Sequence, residues 1–141
     1  MRPTRAESAP RPLGLGGWFL VALFLGSGTL HLVRPGVFEP IVPGVLPAPR
    51  ALVLVSGVAE LACAAGLAWR RTRVAAGWAA ALLLVAVFPA NVTMSVHAWQ
   101  DWRAGEASGL YLVGTLVRLP LQVPLVWWAW RVTRPRERLE P

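Results

Sequence analysis

Glu60 is the residue of this sequence best placed for chemistry, because it lies alone in the middle of a long apolar segment. Residues 51–69 are apolar or small except for Ser56 and Glu60. At about 1.5 Å per residue, a helix of this length matches a hydrocarbon core of about 30 Å. An acidic side chain at its centre costs roughly 2.5–3.5 kcal/mol on insertion scales. Glu60 must therefore be shielded, paired or protonated.

All four long apolar segments of the sequence carry polar residues with the spacing of a helix face. Residues four apart share a face, and the sequence contains Ser27 with His31, Ser56 with Glu60, Asn91 with Ser95, and the series Tyr111, Thr115, Arg118 and Gln122. In a membrane such faces turn inward. We therefore predict one intramembrane pocket for a ligand or a proton, formed by His31, Glu60, Asn91, Arg118 and Gln122.

The opposite charges of Glu60 and Arg118 fall at matching depth near the middle of the membrane. We expect them to form an ion pair, because pairing removes much of the penalty that either charge carries alone. Such a pair would set the helix register, serve a ligand or proton site, or lie at a subunit interface; the sequence leaves these open.

The remaining pocket residues also have structural interpretations. His31 would cap its helix or reach towards the interface, Asn91 would bond the carbonyl that Pro89 leaves free, and Gln122 would join two helices. The spacing of the histidines and carboxylates predicts no metal site. The sequence contains one cysteine, Cys63, and no thiol pair or cofactor motif, so we do not expect an enzyme acting on its own.

The elements that must position these residues are four membrane helices. The chain has 141 residues, of which 55% are hydrophobic and 15% charged, a balance too apolar for an ordinary soluble domain. The predicted class is all-α, a polytopic four-helix antiparallel bundle within residues 14–130. The predicted spans are about 15–33, 51–69, 74–96 and 109–130. A proline-rich loop at 34–50 should lie in the membrane interface or fold back on the bundle. Pro89 should kink the third helix, and 97–108 should be a polar loop.

The distribution of arginine predicts the orientation of the chain. Ten arginines lie in the N-terminal tail, the turn at 70–73 and the C-terminal tail, and three lie in the other two loops. This bias places both termini in the cytoplasm, and we expect the bacterial cytoplasmic (inner) membrane. Residues 1–13 and 131–141 are predicted to be cytoplasmic tails, the first disordered and the second charged. The arginines flank apolar segments, which indicates lipid rather than nucleic acid as the surrounding partner.

Four sequence motifs resemble those of DoxX-like membrane proteins. GTLHLVRP at residues 28–35 is similar to the first-helix GxxHFxxP pattern of that family, with Leu32 in place of Phe. Similarity continues in IVPGVLPAPRALVLVSGVAEL, FPANVTM and RLPLQ, at residues 41–61, 88–94 and 118–122. The resemblance implies a four-helix membrane bundle associated with redox processes. His31, Glu60, Asn91, Arg118 and Gln122 match the polar motif positions of the family.

These observations favour a non-catalytic or accessory membrane subunit. Its pocket would bind a quinone-like ligand, whose carbonyls accept hydrogen bonds, or the subunit would serve an oxidoreductase partner that supplies the electrons. One alternative is a proton-coupled small transporter that uses Glu60 in a homo-oligomer. The other is a structural or assembly factor in which the Glu60–Arg118 pair only fixes the register of the helices.

Overall fold

The computed structural model describes residues 12–134 and contains four long helices. They are α1 (Leu15–Val33), α2 (Pro49–Ala68), α3 (Arg73–Ala104) and α4 (Gly109–Thr133). Residues 12–134 form no β-strand, so the predicted all-α four-helix class is confirmed. The parts of the predicted tails at 1–11 and 135–141 lie outside the described residues.

The surface of the bundle is that of a membrane protein. All four helices are long and apolar enough to cross a bilayer. Each exposes large apolar side chains over more than half of their area, for example Phe19, Val55, Val85 and Val123. Soluble monomers rarely present apolar surface of this extent. The protein is therefore embedded in a lipid bilayer, with these side chains facing the hydrocarbon.

The four helices form a ring in chain order. α1 packs on α2 and α4, and α3 packs on α2 and α4, whereas the Cα atoms of α2 and α4 nowhere come within 8 Å of each other. We call the end with the α2–α3 turn the turn end and the opposite end, with segment 34–48, the loop end. The fully apolar core fills the half nearer the turn end, where Leu20, Leu67 and Ala80 have no exposed surface.

The third helix extends further than its sequence suggests. The predicted span of 74–96 and the predicted loop at 97–108 are replaced by one helix that continues to Ala104. Residues 97–104 contain no glycine or proline, so nothing in them stops the helix once it leaves the apolar region. Gly105 ends it with a φ of 78°, and its N–H donates to the carbonyl of Trp102 over 3.1 Å. The first residues of the predicted C-terminal tail likewise belong to α4.

The proline-rich segment closes the loop end. Its two short 3-10 turns, Pro35–Val37 and Glu39–Ile41, lie against α2, and the second also lies against α3. Glu39 Oε1 is 3.9 Å from Arg50 Nη1, which ties the segment to the first turn of α2. At the opposite end of the bundle, Leu13 packs against the apolar core, although the sequence places it in the tail.

Candidate ligand-binding site

Two glycines let α1 and α2 cross in close contact. A methyl group at Gly28 would lie 2.8 Å from the carbonyl oxygen of Gly57, and one at Gly57 would lie 2.8 Å from Cβ of His31. Small residues at a membrane helix crossing allow the backbones to approach in this way. Gly28 precedes His31 by three residues, and Gly57 precedes Glu60 by three, so each polar residue shares a face with its glycine.

The crossing brings His31 and Glu60 together. His31 Nδ1 lies 3.5 Å from Glu60 Oε2, and the exposed fractions of the two side chains are 13% and 6%. Neither of these two atoms has a hydrogen bond. The distance exceeds the 2.7–2.9 Å of a close charge-assisted hydrogen bond, so the pair is a loose contact. Phe38 covers the imidazole edge-on, with ring centroids 4.2 Å apart.

The predicted ion pair between Glu60 and Arg118 is not formed among residues 12–134. Glu60 faces His31 instead, and Arg118 Nη1 lies 3.3 Å from the sulfur of Met94. The physical reason is the ring order of the helices. α2 and α4 lie diagonally across the ring, so two residues at the same depth on these helices are not in contact. Arg118 thus has a thioether, a weak acceptor, where a carboxylate was expected.

Polar residues join α3 to α4 in a network. Asn91 Nδ2 donates to Gln122 Oε1 over 3.1 Å, and Gln122 Nε2 donates to the carbonyl of Leu84. The hydroxyl of Ser95 lies 3.2 Å from the carbonyl oxygen of Thr115. Gln122 therefore joins two helices. The side chain of Asn91 donates to Gln122 and not to the carbonyl of Val85, which is the one that Pro89 leaves free.

A cavity lies in the loop-end half of the bundle, between the two helix pairs. Its volume is about 340 Å³. Apolar side chains from α2, α3 and segment 34–48 form most of its wall, and the polar residues in the wall are His31, Ser56, Glu60, Asn91 and Arg118. The structure thus brings four of the five predicted pocket residues around one cavity. Gln122 is not in the wall; it accepts a hydrogen bond from Asn91, which is.

The cavity offers hydrogen-bond donors to a ligand with acceptor oxygens. A guanidinium has five N–H groups, and the side-chain bond that Arg118 makes within residues 12–134 goes to sulfur. The Asn91 amide has a second N–H beyond the one given to Gln122. Ser56, also in the wall, donates its hydroxyl proton to the carbonyl of Val53 over 2.9 Å, so towards a ligand this hydroxyl can only accept.

Metal ligands and thiols contribute no further site in the part of the chain described. No three His, Cys, Asp or Glu side chains of residues 12–134 cluster as metal ligands. Cys63 is 6% exposed and belongs to the apolar core. The ionisable side chains in the cavity wall are those of His31, Glu60 and Arg118.

The sequence did not reveal four residues that shape the site. Gly28 and Gly57 set the crossing, Phe38 covers the imidazole, and Met94 contacts Arg118. The glycines had a readable signal, since each stands three residues before a polar residue on its own helix. Phe38 and Met94 had none, because their contacts depend on how the loop and the helices pack.

Comparisons with known proteins place the chain in one family. No curated protein and no solved structure matches it. A family model with the description "Domain of unknown function (DUF8561)" matches residues 20–133, a range that contains every polar residue of the cavity. The resemblance to DoxX-like proteins stays a prediction. Because the match covers most of the sequence and nearly all of the four helices, the chain belongs to the DUF8561 family.

Proposed function

We propose that this chain is an accessory membrane subunit that binds a quinone-like ligand in the loop-end cavity. The observation that carries the proposal is Arg118, an exposed arginine that lines the cavity from the middle part of α4, a helix long and apolar enough to cross a bilayer. Within residues 12–134 no carboxylate pairs with it. A charge at such depth is costly unless polar groups satisfy it. Oxygen atoms of a bound ligand would do so.

The shape of the site suits a ring with oxygens on both sides. Donors approach from two helix pairs, His31 from the α1–α2 pair and Asn91 with Arg118 from the α3–α4 pair. A quinone ring is flat and largely apolar, and its two carbonyls accept hydrogen bonds. A volume of about 340 Å³ is near the lower end for ligand pockets, so it suits a ring but not a long chain.

A redox role for this subunit depends on a partner. The sequence has one cysteine, so a dithiol cannot form within the chain. Electrons for a bound quinone would come from an oxidoreductase partner, as the DoxX-like resemblance implies. Arg70, Arg71, Arg131 and Arg134 lie at the turn end, which supports placing that end and both termini in the cytoplasm of a bacterium.

A proton-coupled transporter is the second candidate, and one observation favours it. Glu60 contacts a histidine, and within residues 12–134 no arginine lies within 4 Å of its carboxylate to compete with a cationic substrate. Such a transporter would act as a homo-oligomer. Proton flux in vesicles that depends on Glu60 and on an added cation would favour it over the quinone-binding subunit.

Substituting Arg118 tests the proposed ligand directly. We expect Arg118→Gln, in lipid nanodiscs, to bind a decyl-substituted benzoquinone about 10- to 100-fold more weakly, because a hydrogen bond from a charged donor contributes about 1.5–3 kcal/mol. The matched control is Arg103→Gln, which removes an exposed arginine at the end of α3, outside the cavity. Equal affinity of the wild type and both variants would rule out the proposed site.

A further inference from the structure

A groove between α2 and α3 continues from the cavity towards the turn end. Its volume is about 910 Å³. Small residues form most of its walls, among them Ala62, Ala65 and Gly66 on α2 and Ala75 and Ala79 on α3. The hydroxyl of Thr72 donates to the carbonyl oxygen of Gly66 over 2.9 Å, so it is engaged with the backbone. The groove is therefore apolar and runs along the lipid-facing surface of the bundle.

The groove and the cavity share part of their walls. Ala59, Leu83 and Ala86 line both. From Ala59 the groove follows α2 for ten residues to Trp69, a length of about 15 Å at 1.5 Å per residue. A molecule whose head occupies the cavity therefore has a direct path for a hydrocarbon chain along the groove.

A buried carboxylate at the junction points to a ligand independently of the groove. Glu60 is 5% exposed, lines the cavity next to Ala59, and its Oε2 has no hydrogen bond. Oε2 lies 3.5 Å from His31 Nδ1 without a hydrogen bond to it, so a ligand group that donates to the carboxylate of Glu60 would offset part of the cost of burying it. A head group with both donor and acceptor oxygens, such as a quinol or an acid, meets Glu60 and Arg118 at once.

We infer that the ligand is a long-chain amphiphile, with its oxygen-bearing head in the cavity and its hydrocarbon chain along the α2–α3 groove. The inference rests on the proposed function, because the chain can follow the groove only when the head binds in the cavity. It adds the chemical class of the ligand and the path of its chain. The cavity has room for the ring, and the groove, whose volume is larger, has room for the hydrocarbon chain.

Filling the groove tests this inference with two probes. One is a benzoquinone that carries a decyl chain, and the other is the same ring without the chain. Ala79→Leu and Ala62→Leu add bulk to opposite walls, and Ala22→Leu adds it to an exposed face of α1 outside the groove. We expect each groove variant to weaken binding of the decyl probe about tenfold, with the ring probe and the control changed by less than about twofold.

The outcomes separate the two proposals. Unchanged binding of the decyl probe in both folded groove variants, while the ring still binds, would overturn the inference and leave the proposed function standing. If neither probe binds the wild type, the proposed function fails and the inference falls with it. Native mass spectra of the same samples test one further outcome. If a groove variant converts a dimer into a monomer, a second copy of the chain fills the groove, and the inference is overturned.

Discussion

His31→Leu should lower the free energy of unfolding by about 1–3 kcal/mol, because it leaves the buried Glu60 carboxylate without its ionisable neighbour among residues 12–134. Glu60 is 5% exposed, and His31 is the charged or ionisable side chain found within 4 Å of it in residues 12–134. Adding Glu60→Gln to His31→Leu removes the unpaired charge and should restore most of the loss. The measurement is unfolding in mixed detergent micelles for both single variants and the double variant.

Arg118→Gln is the control for the unfolding measurements on the His31 and Glu60 variants. Since Arg118 contacts Met94 and not Glu60, its loss should not lower the free energy of unfolding, and removing a charge that no carboxylate of residues 12–134 pairs should leave that free energy unchanged or raise it. The opposite pattern, a large loss for Arg118→Gln and little for His31→Leu, would show that Glu60 pairs with Arg118 in the membrane. The same variants therefore decide between the two possible partners of Glu60.

Gly57→Ala should cost about 1–3 kcal/mol, because its methyl group has no room at the α1–α2 crossing. It would lie 2.8 Å from Cβ of His31 and 3.0 Å from the carbonyl oxygen of Gly28. The backbone contact cannot be relieved by rotating a side chain, so α1 must move away from α2. This movement separates His31 from Glu60, and we expect ligand binding to fall together with stability.

The control for Gly57→Ala lies on the partner helix. Gly26→Ala places a methyl group on α1 where nothing lies within 4 Å. It should be neutral or should stabilise the helix by up to about 1 kcal/mol, since alanine favours helix more than glycine does. Melting curves and quinone titrations of both variants provide the comparison. If Gly57→Ala behaves like Gly26→Ala, the close crossing does not exist.

The four helices could be predicted from the sequence because the membrane leaves few options. A run such as residues 51–69 has the length and the apolarity of one span, and lipid excludes unpaired backbone groups. The i and i+4 spacing of Asn91 with Ser95 also identified a polar face that the structure turns towards Thr115 and Gln122. Local periodicity therefore predicted the helices and part of the set of inward-facing residues. Thr115 and Gln122 are buried, whereas Tyr111 and Arg118 on the same predicted face are exposed.

The partners of those residues could not be predicted, since partners depend on which helices are neighbours. Glu60 and Arg118 were expected at the same depth in the membrane. Depth does not determine which helices are neighbours, and in the ring α2 and α4 are not adjacent. The end of α3 was missed for a different reason. Polar residues 97–104 were read as a loop, whereas a helix that leaves the membrane continues until a residue such as Gly105 stops it.

The packing of the helix pairs limits where the cavity can lie. Gly28 and Gly57 hold α1 against α2, and Gly77, whose added methyl would lie 2.9 Å from the carbonyl of Ala129, marks a similar approach of α3 to α4. A methyl group at Gly66 would likewise lie 2.7 Å from Cβ of Ala76, so α2 and α3 also meet closely near the turn end, and the cavity lies nearer the loop end. Each pair contributes polar groups to the cavity wall.

A native mass spectrum of the protein extracted in mild detergent tests the central claim, that the cavity holds a quinone-like ligand. We expect the wild-type chain, alone or with an oxidoreductase partner, to carry a small molecule with the mass of a long-chain quinone or quinol. The Arg118→Gln variant should have lost it, and the Arg103→Gln variant should retain it. A wild-type spectrum of bare monomer or homodimer, with no small molecule and no partner, would contradict the claim.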